Sequence, residues 1–181
     1  MGVLVDALTA DEARAAEADL VALLADAVDS GASLGFLPPL LPARAAAYWR
    51  TVFGDVEAGT RVLLAARGAL GTVVGSAQLE LATRENGRHR AEVARVMVLR
   101  AARRQGIGRA LMLAAEDHAR RHGRSTLILD TRAGDPSERL YVSLGWRRVG
   151  EIPRYARSAD GALDATALYY KLLLSTDGGT S

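Results

Sequence analysis

The spacing of apolar residues changes along the chain and separates helical from extended segments. Helical spacing begins at Thr9, which together with Glu12 has the spacing of a capping box, and this predicted helix ends at Gly31. After a proline-rich apolar loop, a second helix is predicted from Pro42, a residue suited to the first helical turn, to about Phe53. The first part of the chain is therefore predicted to be helical.

The rest of the chain has mainly the patterns of extended strands. Predicted strands cover residues 3–5, 61–66, 72–81, 91–99, 126–131, 146–152 and 165–174. Helical spacing at 106–122 lies between two of them, and a shorter helix is predicted at 135–144. A strand, a helix and a strand in this order form a βαβ unit, so the strands 91–99 and 126–131 should be parallel.

This order of elements predicts one α/β domain with a mixed central sheet. The sheet would have six or seven strands and about four flanking helices, and the domain would cover residues 1–174. The Gly, Ser, Thr and Asp residues of 175–181 are typical of a disordered tail. Ligands of open α/β sheets bind beyond the carboxyl ends of the parallel strands, so we expect the functional site there.

Charge is unevenly distributed, although the whole chain carries a formal net charge of only +2. Residues 84–124 hold 11 arginines and 4 acidic residues, whereas residues 1–83 hold 5 arginines and 10 acidic residues. This local positive excess indicates an anionic ligand near the middle of the chain, and both a phosphorylated cofactor and a nucleic acid have that charge. Because all but one of the basic residues are arginine, any single arginine is a weak indication of a phosphate site.

The composition excludes several classes of protein. The chain has no cysteine, which excludes disulfides, thiolate nucleophiles and cysteine-based metal sites. No apolar run approaches the ~20 residues of a membrane span, and the first residues lack the basic start of a secretory signal. We therefore expect a cytoplasmic protein without membrane association. His118 and His122 have a spacing that can bind metal, but no third ligand is in position, so no metal is expected.

A basic, glycine-containing loop lies between the strand 91–99 and the following helix. This basic loop consists of Arg103, Arg104, Gln105, Gly106, Ile107, Gly108 and Arg109. Its glycines let the backbone approach a ligand, and the first amide groups of the helix have no acceptors within it. The helix dipole adds positive charge, so the loop predicts an anion site. A P-loop is excluded because its lysine is absent, and a dinucleotide fingerprint is excluded because position 111 is leucine.

Two motifs of the chain resemble those of one enzyme superfamily. The pattern Arg-x-x-Gly-x-Gly at 103–108, after a Val-Met-Val strand, resembles the acyl-CoA-binding motif of the GNAT superfamily of N-acetyltransferases. The segment 140–146 resembles that superfamily's Leu-Tyr-x-x-x-Gly-aromatic signature, and the likeness covers about residues 60–172. Residues 31–33, 36–40, 90–98 and Tyr155 are most similar to the tabtoxin-resistance acetyltransferases.

The resemblance implies acetyl-CoA as co-substrate and no metal. The cofactor would lie in a V-shaped opening between the strands 91–99 and 126–131. Its pantetheine would pair with the backbone at Val96, Met97 and Val98, and amides of the basic loop would hold its pyrophosphate.

The implied reaction is the attack of a neutral amine on a thioester, which requires a base, an oxyanion site and an acid. The resemblance places Tyr141 near the sulfur as the general acid. Glu92 and Asp130 are both candidates for the base, and Asp130 could instead bind the substrate's ammonium group. Strand alternation puts Glu92 on the face of Val96 and Val98, ~13 Å from Val96 along the strand, so a water relay would be needed.

The acceptor is predicted to be a primary amine whose pocket is shaped by surface loops. A tight pocket lined by Phe36, Tyr155 and Asp130 would favour a small amino-acid-like toxin or antibiotic, and its acetylation would confer resistance. An open groove would favour a protein or peptide amine. A non-catalytic acyl-CoA-binding or nucleic-acid-binding module is a further alternative, but the presence of Glu92, Asp130 and Tyr141 argues against it. We thus expect a small-molecule acceptor and no nucleic acid, and the sequence leaves a homodimer open.

Overall fold

Seven β-strands form one open sheet in the computed structural model, which describes residues 4–173. The strands are β1 (Val5–Leu8), β2 (Arg61–Arg67), β3 (Val73–Leu81), β4 (Arg90–Val98), β5 (Thr126–Arg132), β6 (Arg147–Arg157) and β7 (Leu163–Leu172). Their order across the sheet is β1-β2-β3-β4-β5-β7-β6. In this part of the chain β4 and β5 are parallel and all other neighbouring strands are antiparallel. The predicted α/β fold with a mixed sheet is confirmed.

The helices of the described chain number five, one more than predicted. They are α1 (Ala10–Ala15), α2 (Glu17–Asp29), α3 (Pro42–Glu57), α4 (Ile107–Arg121) and α5 (Ser137–Ser143). The capping box of Thr9 and Glu12 begins α1 as predicted, but the single helix predicted up to Gly31 is interrupted at Ala16. The interruption lets α1 pack against α3 and β1, while α2 packs against α3 and the sheet.

The third helix is one turn longer than its sequence predicts. Gly54 lies inside α3, and a glycine there costs ~1 kcal/mol relative to alanine. Contacts made by the last turn offset this cost, because Asp55 forms an ion pair with Arg61 at 3.0 Å and Glu57 pairs with Arg14. Tertiary contacts therefore override the local preference at this position.

Two apolar cores lie on opposite faces of the sheet. Neighbouring strand residues alternate between them: Leu63 packs in the core covered by α1, α2 and α3, and Leu64 packs in the core covered by α4. The first core contains the large buried side chains Trp49 and Phe53. Within residues 4–173, none of the helices combines the length and the apolar character needed to cross a membrane.

Helix α4 begins very close to the sheet because a glycine lies beneath it. A Cβ atom at Gly75 on β3 would lie 2.9 Å from Ile107 Cγ2 and 3.0 Å from the Met97 carbonyl oxygen. A larger residue would therefore push the start of α4 away. The absence of a side chain at Gly75 fixes where the amide groups of the basic loop lie.

A buried ion pair links the C-terminal half of α4 to β7. Lys171 Nζ lies 2.7 Å from both carboxylate oxygens of Glu116 and 2.6 Å from the Leu144 carbonyl oxygen. Trp146 Nε1 donates to the same carboxylate at 3.1 Å. These contacts give the chain's single lysine a structural role.

Strand β4 carries a β-bulge at Arg95 and Val96. Ala94 and Met97 keep their partners on β3, but the two residues between them face one residue, Ala77. Arg95 adopts a φ of 52°, in the left-handed region that residues other than glycine seldom occupy.

The bulge makes the predicted orientation of Glu92 wrong. Alternation predicted that Glu92 shares a face with Val96 and Val98. These two valines instead pack in the α4-side core together with Ala91 and Val93, so Glu92 lies on the opposite face. The physical reason is that one extra residue shifts all following side chains to the other face of the strand.

The last two strands differ in length from the prediction. β6 continues past Pro153 to Arg157, because it lies at the edge of the sheet, where a proline removes no essential donor. A register irregularity lies between Ile152 and Ala156. Val3, Leu174 and the predicted disordered tail 175–181 lie outside the described residues.

The parallel strands β4 and β5 separate after a short paired segment. Their register pairs run from Arg90 with Thr126 to Glu92 with Ile128. Beyond that point β4 remains paired with β3, and β5 remains paired with β7 as far as Arg132. The result is a V-shaped opening at the carboxyl ends of the two parallel strands.

Candidate active site

A cavity of about 410 Å³ occupies the opening between β4 and β5. Its volume is in the range of small-molecule pockets, ~300–1,000 Å³. Its wall comes from the loop after α2, from β4 and β5, from α5, and from β6 and β7. Five of the predicted site residues line it: Glu92, Val96, Asp130, Tyr141 and Tyr155. The cavity therefore brings together side chains that are up to 63 positions apart in the sequence.

Glu92 is a half-buried carboxylate in this wall. Burial raises the pKa of Glu92 above its ordinary value of 4.5, and the negative charges of Glu80 and Asp130 raise it further. Arg95 and Arg61 oppose this shift. A carboxylate with a raised pKa holds a proton more tightly, which suits a general base.

Glu92 also lines a second cavity, of about 350 Å³, on the same side of the sheet. Glu80 and Ile128 lie in its wall, and the exposed residues Arg84 and Arg90 lie at its rim. Glu92 thus has the first cavity on one side and a path towards solvent on the other.

Asp130 lies on β5 with its side chain exposed to the cavity. Its Oδ2 atom accepts a hydrogen bond of 2.8 Å from Thr166 Oγ1. Among the described residues no donor bonds Oδ1, which leaves this oxygen available to a ligand. Thr166 therefore orients the Asp130 carboxylate and leaves Oδ1 available.

Tyr141 on α5 is almost completely buried, with 6% of its surface exposed. Burial raises the pKa of Tyr141 to about 12, the charges of Asp135 and Asp130 act in the same direction, and a hydrogen bond with Ser137 opposes them. Its ring centroid lies 6.0 Å from that of Tyr169. The phenol is therefore protonated at neutral pH and can donate a proton.

The basic loop begins α4 with open amide groups. Gly106 precedes the helix with a φ of 82°, and a Cβ atom there would meet nothing within 4 Å. The first helical hydrogen bond runs from the Ala110 amide to the Gly106 carbonyl oxygen. The amides of Ile107, Gly108 and Arg109 therefore have no acceptor within the helix, which is the arrangement that binds anions.

Arg103 braces the basic loop through its side chain. Its guanidinium donates to Ser30 Oγ at 2.7 Å and to the Val98 carbonyl oxygen at 3.2 Å. Arg104 and Gln105 are exposed, and Arg104 has a φ of 65°. The side chain of Arg103 thus fixes the loop against α2 and β4.

Helix α5 connects the basic loop to the cavity. The loop itself is not part of the cavity wall. However, a Cβ atom at Gly108 would lie 3.4 Å from Leu140 Cδ2, and Arg109 Nη1 lies 3.4 Å from Ser143 Oγ. The start of α4, with its open amides, therefore packs against α5, the helix that carries the buried Tyr141.

Several residues of the cavity wall were not predicted as site residues. Arg132 forms an ion pair with Asp164 at 3.0 Å and donates to the Gly31 carbonyl oxygen at 2.8 Å. Arg95 reaches the wall because of the bulge, and Thr166 because β7 pairs with β5. In a chain so rich in arginine, no local pattern distinguishes Arg95 or Arg132 from the others.

Phe36, a predicted acceptor-binding residue, lies outside the cavity wall. Its ring packs edge-on against Tyr48, with the centroids 5.4 Å apart, and its part in binding stays a prediction. The rings of His118 and His122 are 6.4 Å apart on α4. Within residues 4–173, the structure has no cluster of three or more His, Asp or Glu side chains that could hold a metal ion.

Comparison with known proteins identifies the family. The model of the acetyltransferase (GNAT) family matches residues 32–146, which is more than half of the chain. The chain therefore belongs to the GNAT acetyltransferase family. The predicted enzyme class, an acetyl-CoA-dependent acetyltransferase, is confirmed by this membership.

Solved structures with the same fold include two whose names give different acceptors. A GCN5-related N-acetyltransferase from Kribbella flavida is 25% identical, with a TM-score of 0.77 over 94% of this chain and 98% of that one. A ribosomal-protein-alanine N-acetyltransferase from Brucella melitensis is 24% identical, with a TM-score of 0.75 over 94% and 99% of the two chains. A phosphinothricin acetyltransferase from Sinorhizobium meliloti, in complex with AcCoA, is 21% identical, with a TM-score of 0.77 over 100% and 94%. The fold alone therefore does not identify the acceptor.

Proposed function

We propose that the protein transfers the acetyl group of acetyl-CoA to the primary amine of a small molecule by direct attack in a ternary complex. The observation that carries this proposal is the cavity beside the separated strands, because its wall contains two carboxylates, Glu92 and Asp130, and one buried phenol, Tyr141. These are the acid and base groups that aminolysis of a thioester requires.

The co-substrate is proposed to lie along β4 and across the start of α4. Open amides of the basic loop would hold the pyrophosphate, and Arg104 and Arg109 add positive charge there. The backbone at Val96, Met97 and Val98 has no β5 partner and could pair with the pantetheine amides. Acetyl-CoA supplies the activated acetyl group as a thioester.

Two of the three polar side chains would transfer protons, and the third would hold the acceptor. The amine nitrogen attacks the thioester carbonyl, a C–N bond forms and the C–S bond breaks. Glu92 first accepts a proton from the bound ammonium group, directly or through a water molecule, and releases it, so that the neutral amine attacks. After the attack Glu92 accepts the second proton that the nitrogen loses, and Tyr141 protonates the departing thiolate. Asp130 holds the incoming ammonium group through Oδ1, and amide groups of β4 stabilise the oxyanion. Solvent returns a proton to Tyr141, and Glu92 releases its proton towards the second cavity.

The size and enclosure of the cavity support a small acceptor over a protein side chain. Residues 32–35 and Tyr155 both line this volume of about 410 Å³. An amino-acid-like toxin or antibiotic, as in the tabtoxin-resistance acetyltransferases, fits this enclosure, and its acetylation would confer resistance. An N-terminal peptide would need an opening for the following residues.

A thiol-release assay tests the proposal. The protein is incubated with acetyl-CoA and a panel of small amines, including amino-acid-like antimetabolites, and the free thiol of coenzyme A is measured. We expect acceptor-dependent release with at least one small amine. Acetylation of peptide amines with no turnover of any small amine would contradict the proposal.

A further inference from the structure

Arg95 is distinguished from the other basic residue of the cavity wall by its lack of an ion pair. Arg132, the second arginine there, is paired with Asp164 and bonded to the Gly31 carbonyl oxygen. No carboxylate of residues 4–173 lies within 4.0 Å of the Arg95 guanidinium, although Glu92 lines the same cavity. The cavity therefore contains a positive charge that no protein group neutralises by contact.

The surroundings of Arg95 hold its guanidinium in a fixed place. Its Cζ atom lies over the ring of Tyr48, 5.8 Å from the centroid, and one Nη atom lies 3.3 Å from the position that a Cβ atom of Gly35 would take. Tyr48 is itself fixed by hydrogen bonds between its hydroxyl and the side-chain amide of Gln78, at 2.9 and 3.1 Å. The guanidinium is thus positioned between an aromatic face and the loop after α2.

Two features of Arg95 are unfavourable for the stability of the fold. Its Nε atom is buried and has no hydrogen-bond partner. A buried donor without an acceptor destabilises the fold. Its backbone φ of 52° is also unfavourable for a residue with a side chain, and such conformations cluster at binding sites. A ligand that supplied an acceptor to this guanidinium would offset the first cost.

We propose that Arg95 binds an anionic group of the acceptor, and that the acceptor class is amines that carry a carboxylate or a similar anion, such as amino acids and their analogues. This inference rests on the proposed acetyl transfer. The planar guanidinium offers pairs of donors that match a carboxylate. Asp130 and Glu92, in the same cavity, receive the amine, so the two ends of the acceptor meet opposite charges.

Matched acceptors test this assignment. Free L-amino acids, each paired with its carboxamide, are assayed as acceptors with saturating acetyl-CoA, and kcat/KM is measured for both members. We expect the wild-type protein to favour the carboxylate member by ~10²-fold, the usual range for a hydrogen bond to a charged group. Arg95→Met should reduce this preference to near one, mainly through KM for the carboxylate, and Arg95→Lys should retain part of it.

Arg154→Met is the matched control, because Arg154 also has a left-handed φ, 56°, but lies outside the cavity wall. Its preference should equal that of the wild type. Equal losses for both acceptors in Arg95→Met would assign a purely structural role and overturn the inference. If that variant does not fold, Arg95→Lys decides: a loss confined to the carboxylate supports the inference, and an equal loss overturns it.

The test also separates this inference from the proposed function. If carboxamides are acetylated as well as carboxylates by the wild-type protein, acetyl transfer stands and the assignment of Arg95 is wrong. If neither member of any pair is acetylated while acetyl-CoA binds, as measured by calorimetry, the assignment of Arg95 is overturned, and the thiol-release panel of other small amines decides the proposed function separately.

Discussion

Glu92 and Ile128 form the last register pair between the parallel strands β4 and β5, and the cavity opens directly beyond them. The backbone of Glu92 is therefore fixed by strands on both sides, while its side chain reaches two cavities. This relationship gives the proposed base a rigid support.

Substitution of Gly106 should remove the proposed pyrophosphate site. Gly106→Asp adds a negative charge beside the open amides and a side chain at a φ of 82°. We expect calorimetry to show acetyl-CoA affinity reduced by at least ~10²-fold, because the added carboxylate repels the pyrophosphate and the added side chain blocks its approach to the amides.

Two variants separate charge from backbone strain in this experiment. Gly106→Asn tolerates the left-handed conformation without the charge, and should lose less affinity. Gly123→Asp places the same residue at a φ of 66° at the other end of α4 and should bind acetyl-CoA normally. Unchanged affinity in a folded Gly106→Asp protein would rule out the proposed site.

Removal of the Tyr141 hydroxyl should slow turnover without weakening cofactor binding. Tyr141→Phe keeps the buried ring but removes the proton donor, so kcat should fall by ~10²-fold. Because the pKa of Tyr141 is about 12, its titration should not appear in the wild-type pH profile below about pH 10. Tyr169→Phe, in the neighbouring ring, is the control and should retain kcat. A Tyr141→Phe protein with wild-type kcat would remove Tyr141 as the acid.

The acid limb of the pH–rate profile should report Glu92. Burial raises the pKa of this carboxyl, so kcat/KM should rise with pH through a value above 4.5. Glu92→Gln should lower kcat by ~10²–10⁴-fold and abolish this limb. Glu80→Gln removes a repelling charge and should move the limb to lower pH. A limb that does not move in Glu80→Gln would contradict the assignment to Glu92.

Glu92 should also make stability depend on pH. Its pKa is raised in the folded protein, so its contribution to stability is present below the unfolded pKa and is lost as the pH rises through the folded value. Glu92→Gln should therefore be more stable than the wild type at about pH 7, with a difference that vanishes below about pH 4. Urea unfolding at the two pH values measures both stability differences. A variant less stable at neutral pH would contradict the sign of the shift.

Removal of one partner of the Glu116–Lys171 pair should destabilise the protein strongly. Glu116 is 3% exposed, so Lys171→Met leaves a buried charge whose remaining partners are Trp146 and the more distant Arg120, at 4.0 Å, and we expect a loss of ~3 kcal/mol in urea unfolding. Arg121→Met breaks an exposed pair with Asp117 and should cost less than ~1 kcal/mol. Equal losses in the two variants would show that burial does not determine the cost.

Local signals predicted much of this fold. The capping box at Thr9, the proline that begins α3 and the βαβ unit around α4 are determined by residues close together in the sequence. The basic loop was predicted for the same reason, since its glycines and arginines are contiguous. Family membership then confirmed the enzyme class.

Features that depend on distant partners were not predictable. The bulge at Arg95 arises from the register with β3, so simple alternation placed Glu92 on the wrong face. The end of α3 depends on an ion pair with Arg61, and the orientation of Asp130 depends on Thr166, 36 residues away. These contacts leave no periodic pattern in the sequence.

A crystal structure with bound acetyl-CoA would locate the cofactor. We expect the pyrophosphate oxygens to lie within ~3.2 Å of amide nitrogens of residues 104–109, and the thioester to lie in the V between β4 and β5 near the Tyr141 hydroxyl. A cofactor bound elsewhere, with these amides bonded to protein groups, would contradict this placement.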